Sequence, residues 1–558
     1  MKKRSILIIA VVVFLFGHNA IAQPSLFWSG VMFFGMNEPT TTKSTFYATL
    51  RDSLKLNLYQ VATNGGAYLR HDFFLNNGIP NDLKVLVLED SLAGFSSVTG
   101  LQKDILLGGG YDAVIHRNVD SMLVHGGLSI LRFYLRDEPT IDMNLAWNYV
   151  QGRIRVFSSG LGSLAAFADT GIHINHFVNG AQPSELIIDP YFLHNCMPLP
   201  SLQGNVLASD NAGIAPWDYG LYFGLLQQFL NQALRERIRP AAEDAKLEGI
   251  PLVIVAQLHG VMHKSTLRYD DDYNYNTGNC LRPPSPSEIR LQYNIAIAYG
   301  AKGLLGYPYS TDVGLWDSPD STAFPGLVSR DASMLDHSSN YGMIFGKSIW
   351  TGYKEKWEEL ANLNSRLRRN HLEDTLLALH WIGAKSWTMK DVTWLPDSFQ
   401  TTSWEGLVRE CSATSQSAYK NNLPQVEVGH LRRAGGSSEY IVIVNRRCAN
   451  SDTTAIRAWL KDSCIVTNIE TNKQWLVAHG GSFQDTLPPG GGGIYRIDPL
   501  SYLSDGETFC PYLYVPGKTY DVERGSTFSF PANGSPVCTR YVSSLKQASL
   551  VRSNEWKG

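Results

Sequence analysis

The sequence predicts an α/β fold, a (β/α)8 or TIM barrel, followed by an antiparallel β-sandwich. Up to about residue 373, short apolar β-branched runs alternate with longer amphipathic stretches, which is the rhythm of a parallel sheet covered by helices. Eight such runs occur, and eight strands close a barrel of this type. From residue 374 onward, clusters of Gly, Asn, Ser and Pro separate the apolar runs, which is typical of antiparallel sheets.

The eight runs are mostly apolar and end in polar residues, as expected for strands buried on both faces. The predicted strands are Gly30–Met36, Leu56–Ala62, Lys84–Glu89, Leu128–Arg136, Gly171–Val178, Glu185–Asp189, Pro251–Leu258 and Lys302–Tyr309. A Ser-x-x-Glu pattern starts a helix at Ser285, and Gly300 ends it before the last strand. Lys354–Arg369 is predicted as a further helix. Tyr440–Asn445 and Ile494–Ile497 are predicted sandwich strands.

The N-terminal segment is predicted to be a cleavable signal peptide. A basic start, Lys2-Lys3-Arg4, precedes the apolar run Ile6–Phe16, which is too short to span a bilayer as a helix. Ala20-Ile21-Ala22 then supplies a small-x-small cleavage site. We therefore expect a secreted or periplasmic protein, without stable membrane insertion once the signal is removed.

The length fits several domains, because a barrel alone rarely needs more than about 250–350 residues and the chain has 558. We expect a signal peptide over 1–22, the catalytic barrel over 23–373, the sandwich as an accessory domain over 374–498 and a C-terminal extension over 499–558. The formal net charge of −3 shows no basic excess. A nucleic-acid partner is therefore not expected.

The seven cysteines are interpreted as structural rather than catalytic. Export permits disulfides, and Cys448 with Cys464 and Cys510 with Cys538 are candidate local pairs. The odd number leaves at least one cysteine unpaired or bonded to another chain.

No metal or other cofactor is predicted. His173 and His176 lack an obvious carboxylate as third ligand. Asp270–Asp272 is interpreted as a solvated loop rather than a calcium site. The Gly490–Gly493 run precedes a strand instead of a helix, so it is predicted to be a turn and not a phosphate loop.

The sharpest chemical signal is the segment Phe133–Pro139, in which Asp137 and Glu138 follow the fourth predicted strand. Glycoside hydrolysis needs a proton donor for the leaving oxygen and a second group that attacks or stabilises the anomeric carbon. The same carboxylates would also suit the N-terminus of the following helix. Both interpretations stay open on the segment alone.

Polar and aromatic residues at other strand ends extend this candidate site. Asp189, after the sixth strand, is a candidate nucleophile or base, with a structural role equally open. Glu89, Glu138, Asp189, Gln257 and Tyr307 are expected to meet at one face, because barrel active sites form at the C-terminal ends of the strands. Candidate substrate contacts are His176, Tyr191, Gln257, His259, Tyr307 and Tyr309. No catalytic residue is expected from the sandwich.

The segment Arg282–Tyr309 resembles the last βα unit of many TIM-barrel glycoside hydrolases, in which a helix ends in Ala-x-Gly-Ala-Lys-Gly and the next strand ends in aromatic residues. The turn Leu487–Gly491 before a late strand is similar to one in the sandwich domains of such enzymes. This resemblance covers about residues 27–498 and holds for the superfamily. It implies a carbohydrate substrate.

The chain departs from the retaining clan A enzymes, which carry Asn-Glu after the fourth strand and a nucleophilic Glu on the seventh. Its seventh strand ends in Gln257 and His259, while Asn37-Glu38-Pro39 follows the first strand, so Glu38 is interpreted as a cleft-wall residue or a chance match. The pair after the fourth strand is similar to that of the substrate-assisted β-N-acetylhexosaminidases. That likeness implies Glu138 as general acid/base and Asp137 as the residue that orients the acetamido group.

The resulting hypothesis is a secreted glycoside hydrolase that cleaves O-glycosidic bonds of an oligo- or polysaccharide. One alternative is a carbohydrate-binding barrel protein without catalysis, which the missing seventh-strand carboxylate keeps open. The other is a different barrel hydrolase, because this fold supports many chemistries.

Overall fold

A computed structural model gives the fold for most of the chain. The residues that it describes are 26–32, 43–61, 82–88, 111–137, 144–167, 171–202, 213–269, 281–313, 322–329, 336–387, 406–414, 423–499, 519–522, 526–529, 537–540 and 549–552.

Eight parallel strands close into a barrel, which confirms the predicted fold class. In the order in which they pair around it, they are β1 (Trp28–Val31), β2 (Leu58–Val61), β3 (Lys84–Leu88), β4 (Ile130–Asp137), β5 (Ser163–Phe167), β6 (Leu186–Ile188), β7 (Leu252–Gln257) and β9 (Gly303–Tyr307). The last strand pairs in parallel with both β7 and β1, so the barrel has no open edge.

The fifth strand is not the predicted one. Gly171–Val178 lies in a helix, Gly171–Ala181, and the strand is the earlier segment Ser163–Phe167. Ile174, Phe177, Val178 and Ala181 are buried at the i, i+3, i+4 and i+7 spacing of a helical face. This helical period was misread as a buried strand because the segment is short and apolar.

Helices cover the barrel on the outside. They are α1 (Lys43–Ala48), α2 (Tyr111–Gly126), α3 (Asn144–Phe157), α4 (Gly171–Ala181), α5 (Tyr219–Ala233), α6 (Arg239–Glu248), α7 (Pro286–Ala298), α8 (Tyr353–Arg368) and α9 (Leu372–Leu377). The predicted cap of α7 is present, since Ser285 and Glu288 exchange side-chain and backbone hydrogen bonds in a capping box. Short π-helical turns lie at Thr49–Ser53 and Leu234–Ile238, and 3-10 turns at Gly127–Ser129, Pro200–Leu202 and Arg369–His371.

Strand alternation divides the barrel residues into two buried sets. One set fills the interior: Trp28, Met32, Leu58, Leu86, Tyr134, Ile187, Val253, Val255 and Leu305. The other set, which includes Tyr59, Phe133, Ile188 and Ile254, packs outward against the helices in the main core. The interior is therefore a packed core rather than a channel.

Loops that follow β6, β7 and β9 build a separate layer with its own apolar cluster, which includes Leu199, Met262, Ala323 and Trp350. Its strands are β8 (Met262–His263), β10 (Asp312–Val313) and β11 (Thr322–Phe324), which form one sheet, and the hairpin β12 (Tyr341–Ile344) with β13 (Lys347–Trp350). These loops all leave the carboxyl ends of barrel strands, so they lie on the face where barrel proteins place their sites.

The C-terminal region is an antiparallel β-sandwich, as predicted. Its larger sheet contains β14 (Leu379–Trp387), β16 (Val426–Arg433), β17 (Glu439–Asn445), β22 (Gly492–Pro499), β19 (Cys464–Asn468), β20 (Gln474–Val477), β23 (Thr519–Val522) and β24 (Ser526–Ser529) in that order. Neighbouring strands in it are antiparallel except β20 and β23, which are parallel. The smaller sheet is β15 (Val408–Thr414), β18 (Thr454–Leu460) and β21 (Ser482–Leu487). A separate ribbon pairs β25 (Val537–Arg540) with β26 (Ser549–Arg552).

The sandwich packs directly on barrel helix α7. A Cβ atom on Gly429 of β16 would lie 2.0 Å from the carbonyl oxygen of Ala298, so only glycine permits this approach. Gly490 has φ +63°, and its Cβ would lie 1.9 Å from the Ser287 carbonyl oxygen. The predicted turn is thus present at Pro489–Gly490 and lies against the start of α7, while Gly492 and Gly493 already belong to the strand that follows.

One predicted disulfide is wrong. Cys448 and Cys464 are both free and buried: Cys464 belongs to the sandwich core, and Cys448 packs beside Ser287 at the barrel. Their closeness in sequence did not bring them together because the intervening residues form β18, whose strand separates the two sites. Cys510, the partner proposed for Cys538, lies outside the described residues.

In the part of the chain that the structure describes, no helix is long and apolar enough to cross a membrane.

Candidate functional site

The carboxyl ends of β6, β7 and β9 bring three of the predicted strand-end residues to one face of the barrel. Gln257 and Tyr307 are partners in the register of β7 with β9, and Asp189 directly follows β6. Ile187, Val255 and Leu305 face the interior, so alternation directs Asp189, Gln257 and Tyr307 inward as well. Asp189 is 5% exposed.

The carboxylate pair after the fourth strand is described only in part. Asp137 is the last residue of β4, and its backbone pairs with Ala166 of β5, so it stands at the carboxyl end of its strand. Glu138 lies outside the described residues, as do Glu89, Asn37-Glu38-Pro39 and Asp270–Asp272.

Three rings form an aromatic cluster at this face. The rings of Tyr191 and Tyr307 are stacked, with centroids 6.3 Å apart and planes 17° from parallel. His259 stands edge-on to both, 5.2 Å from Tyr191 and 5.1 Å from Tyr307. Tyr191 and Tyr307 are only partly buried, so ring surface remains accessible. We call Tyr191, His259 and Tyr307 the strand-end ring cluster.

His259 is held as a neutral imidazole. Burial lowers its pKa to about 3, and the carbonyl oxygen of Tyr307 opposes this shift only partly. Nδ1 lies 3.2 Å from that carbonyl oxygen, which accepts a hydrogen bond from an Nδ1–H tautomer. The proton on Nδ1 leaves Nε2 as an acceptor. Above a pH of about 3 this ring therefore cannot act as a cationic acid.

Gln257 has a structural set of contacts rather than a free amide. Its Oε1 accepts from the Leu193 backbone N–H at 3.0 Å, and its Nε2 donates to the carbonyl oxygens of Leu193, His259 and Arg282. The side chain is fully buried. It joins the loop that carries Tyr191 to the loop that carries His259, so it positions the strand-end ring cluster.

Tyr309 and His176 lie elsewhere. Tyr309 is fully buried in the main core between the rings of Phe46 and Trp357, and burial raises the pKa of its phenol. His176 is exposed on helix α4, where its carbonyl oxygen accepts a hydrogen bond from Asn144. The prediction of His176 as a substrate contact depended on a strand end that is not there.

Sequence reasoning missed two residues that support the site. Lys356 of α8 is completely buried and donates to the carbonyl oxygens of Leu258 and Pro325, at 2.7 and 3.0 Å. Phe324, beside the second of these carbonyls, places its ring 5.8 Å from His259. Neither position carries a motif; a lysine in an amphipathic helix is normally read as solvent-exposed.

A buried ion pair holds the loop that follows Tyr191 in place. Arg282 and Glu288, both fully buried, join through two hydrogen bonds of 2.9 and 2.7 Å. The same guanidinium donates to the carbonyl oxygens of Met197 and Pro198, in the loop that follows Tyr191. Among the described residues, no three His, Cys, Asp or Glu side chains are grouped as a metal site.

The fold defines a class, that of (β/α)8-barrel proteins with a C-terminal β-sandwich. No family model matches the sequence, and no curated protein matches it either.

Solved structures are similar to the chain at low identity. A glycoside hydrolase family 5 protein from Bacteroides vulgatus is 9% identical, over 85% of this chain and 89% of its own, with a TM-score of 0.43. An Anoxybacillus α-amylase is 8% identical over 83% and 91%, with a TM-score of 0.38. α-Galactosidase I from Mortierella vinacea is 9% identical over 85% of this chain and 98% of its own, with a TM-score of 0.37. Similarity at this level concerns the fold alone.

Proposed function

We propose that this protein is a glycoside hydrolase that acts on an oligo- or polysaccharide at the carboxyl-end face of its barrel. The observation that carries the proposal is the strand-end ring cluster, with two stacked, partly exposed tyrosines and a carboxylate, Asp189, two residues before Tyr191. Aromatic faces suit the apolar faces of sugar rings, and glycoside hydrolysis uses carboxyl groups beside them. The proposal includes export, on the basis of the N-terminal segment.

Within this proposal Glu138 is the general acid/base. Its carboxylic acid protonates the leaving glycosidic oxygen as the bond to the anomeric carbon breaks, and its carboxylate then removes a proton from water. The proposal includes two alternative nucleophiles. Either Asp137 orients an acetamido group of the substrate, whose oxygen attacks, or the Asp189 carboxylate attacks directly.

The second candidate function is carbohydrate binding without catalysis. One observation favours it: β7 ends in Gln257, with His259 two residues later, and β9 ends in Tyr307, and none of these side chains is a carboxylate. The fully engaged amide of Gln257 and the neutral imidazole of His259 both point to positioning rather than proton transfer. A different barrel hydrolase remains the third alternative, which the substrate panel below tests.

The test is hydrolysis of a panel of aryl glycosides that includes N-acetylhexosaminides, by the purified protein and its variants. Glu138→Gln is expected to lower turnover by at least about 10²-fold on poor leaving groups, the scale usual for loss of acid–base catalysis. Activated leaving groups depart without a proton, so their cleavage should fall much less. Glu248→Gln, an exposed carboxylate on α6, is the matched control and should keep wild-type turnover.

Two further variants separate the nucleophiles. With acetamido participation, Asp137→Asn stops hydrolysis even of activated substrates and Asp189→Asn is mild. With Asp189 as nucleophile the order reverses. Full activity in all three variants would exclude this site, and sugar binding without any hydrolysis by the wild-type protein would establish the non-catalytic alternative.

A further inference from the structure

A cavity of about 260 Å³ lies at the opposite end of the barrel from the candidate site. Its wall comes from the end of α6, the residues before β7 and β9, and the first strand of the sandwich, β14. Residues 251 and 252 and Lys302 belong to this wall and stand at the amino ends of β7 and β9. The cavity is therefore separate from the strand-end ring cluster.

The polar part of this wall is cationic. Lys246 and Lys302 both line the cavity, and no Asp or Glu among the described residues does. Glu243, one turn before Lys246 on α6, is exposed. The wall thus presents the ammonium groups of partly buried Lys302 and exposed Lys246 to a partly open cavity. Glu243 interacts electrostatically with Lys246 but does not line the cavity.

Each ammonium has donor capacity left. Lys302 Nζ donates to the carbonyl oxygens of Leu376 and Leu379, and Lys246 Nζ donates to that of Ile382 at 3.0 Å. An ammonium has three N–H donors, so these bonds do not exhaust either group. Burial lowers the pKa of Lys302 to about 8, so this side chain is still mostly charged at neutral pH.

Apart from His380, the rest of the wall is mainly apolar and contains two stacked rings. Tyr299 and Trp381 lie with centroids 5.8 Å apart and planes 24° from parallel. Ala242, Ala245 and Leu377 complete the apolar part. An engineered apolar cavity of about 150 Å³ binds benzene, so this volume is large enough for one ring with a short polar substituent.

We propose that this cavity is a binding site for a small organic acid, with one ring or a short chain as its apolar body and a carboxylate that meets the ammonium groups of Lys246 and Lys302. The volume is below the range of about 300–1,000 Å³ usual for drug-sized ligands, so it suits a small molecule. The inference does not rest on the proposed glycosidase activity.

Isothermal titration of the full-length protein with benzoate, and with neutral benzamide as the matched probe, tests the site. We expect saturable one-to-one binding of benzoate, at least about tenfold tighter than that of benzamide, because an ammonium–carboxylate hydrogen bond is stronger than a neutral one. Equal affinity for the two probes, or no saturable binding of benzoate at millimolar concentration, would overturn the proposal.

Three variants locate the binding. Lys246→Met removes one ammonium and should weaken benzoate about tenfold while benzamide binding is unchanged. Ala242→Leu fills the cavity and should abolish binding of both probes, with a loss of about 1–3 kcal/mol in stability because Ala242 also belongs to the main core. Lys347→Met, an exposed lysine on β13, is the control and should bind both probes as the wild type does. Benzoate binding unchanged in Lys246→Met and Ala242→Leu would place the binding elsewhere and refute the site.

Discussion

The barrel–sandwich interface and the strand-end face differ in the ring surface that they leave accessible. At the interface, Arg446 and Glu427 are both fully buried and pair at 3.0 Å. Arg446 also donates to Asn231 of α5 and to Ser386 of β14, and Glu427 accepts from Tyr299 at 2.9 Å. At the strand-end face the conspicuous groups are partly exposed rings and a neutral imidazole. Buried charges with many partners occur in both regions, since Arg282–Glu288 and Lys356 support the strand-end loops. Accessible ring surface is what distinguishes the candidate site.

The difference teaches how to separate structural from functional polar residues. Gln257 stands at a strand end, yet its amide forms hydrogen bonds with three segments of backbone. The guanidinium of Arg446 likewise bonds several partners at the interface. Position at the carboxyl end of a strand is therefore insufficient evidence of substrate contact. The number of internal partners and the exposed surface decide between the two roles.

The largest expected effect comes from breaking the interface. Arg446→Met leaves Glu427 as an unpaired buried charge, which typically costs about 3–5 kcal/mol of the free energy of unfolding. Urea unfolding followed by tryptophan fluorescence measures this loss. The double variant Arg446→Met/Glu427→Gln should recover part of it, because the unpaired charge is gone.

Arg457→Met is the control for that experiment. Arg457 is exposed on β18, where it bonds Ser482 and covers the Trp459 ring, and its loss should cost only about 0.5 kcal/mol. A similar loss in Arg446→Met and Arg457→Met would show that the interface network contributes no more than the surface.

A smaller effect is expected at the strand-end ring cluster. If the stacked tyrosines bind a sugar, Tyr191→Ala should raise KM about tenfold, or about 1.4 kcal/mol, with a smaller change in kcat. Tyr191→Phe keeps the ring and should restore most of the affinity. Tyr341→Ala, in the exposed hairpin strand β12, removes a tyrosine outside the cluster and should leave KM unchanged. Equal KM values for Tyr191→Ala and the wild type would remove the cluster from the proposed site.

The smallest effect is a pH dependence within the sandwich. Burial opposes ionisation of Glu439, but hydrogen bonds from His430, the Leu407 backbone and Arg432 hold its pKa at about 2. Because the pKa is lower in the folded state, ionised Glu439 stabilises the fold at pH values above the unfolded-state pKa of about 4.5. This stabilisation is lost as the pH falls from about 4.5 toward 2. Since solvent screens the interaction of Glu439 with its partners in part, we expect its ionisation to contribute about 1 kcal/mol to the free energy of unfolding.

The measurement is urea unfolding of the wild type and of Glu439→Gln between pH 6 and pH 3. The variant should be the less stable protein at pH 6, and the difference should shrink toward pH 3. A constant difference over this range would show that ionisation of Glu439 does not contribute.

Much of the fold was predictable because its signals are local. The apolar runs of β7 and β9, the capping box at Ser285 and the turn at Gly490 each occupy a few consecutive residues, and each is present in the structure. The fifth strand was missed since a short apolar segment with a helical period, Gly171–Ala181, can be read either way.

The sequence by itself determined the class of architecture and the strand ends at which Asp189, Tyr191 and Tyr307 stand. Hydrophobic periodicity and the turn residues that end an element are properties of neighbouring residues. Only the tertiary structure decided what the polar residues there do. Gln257 finds a partner 64 residues away in Leu193, and the core that encloses Tyr309 comes from distant elements. Burial and hydrogen-bond partners are long-range properties, so no local pattern could distinguish a residue that positions the site from one exposed to substrate.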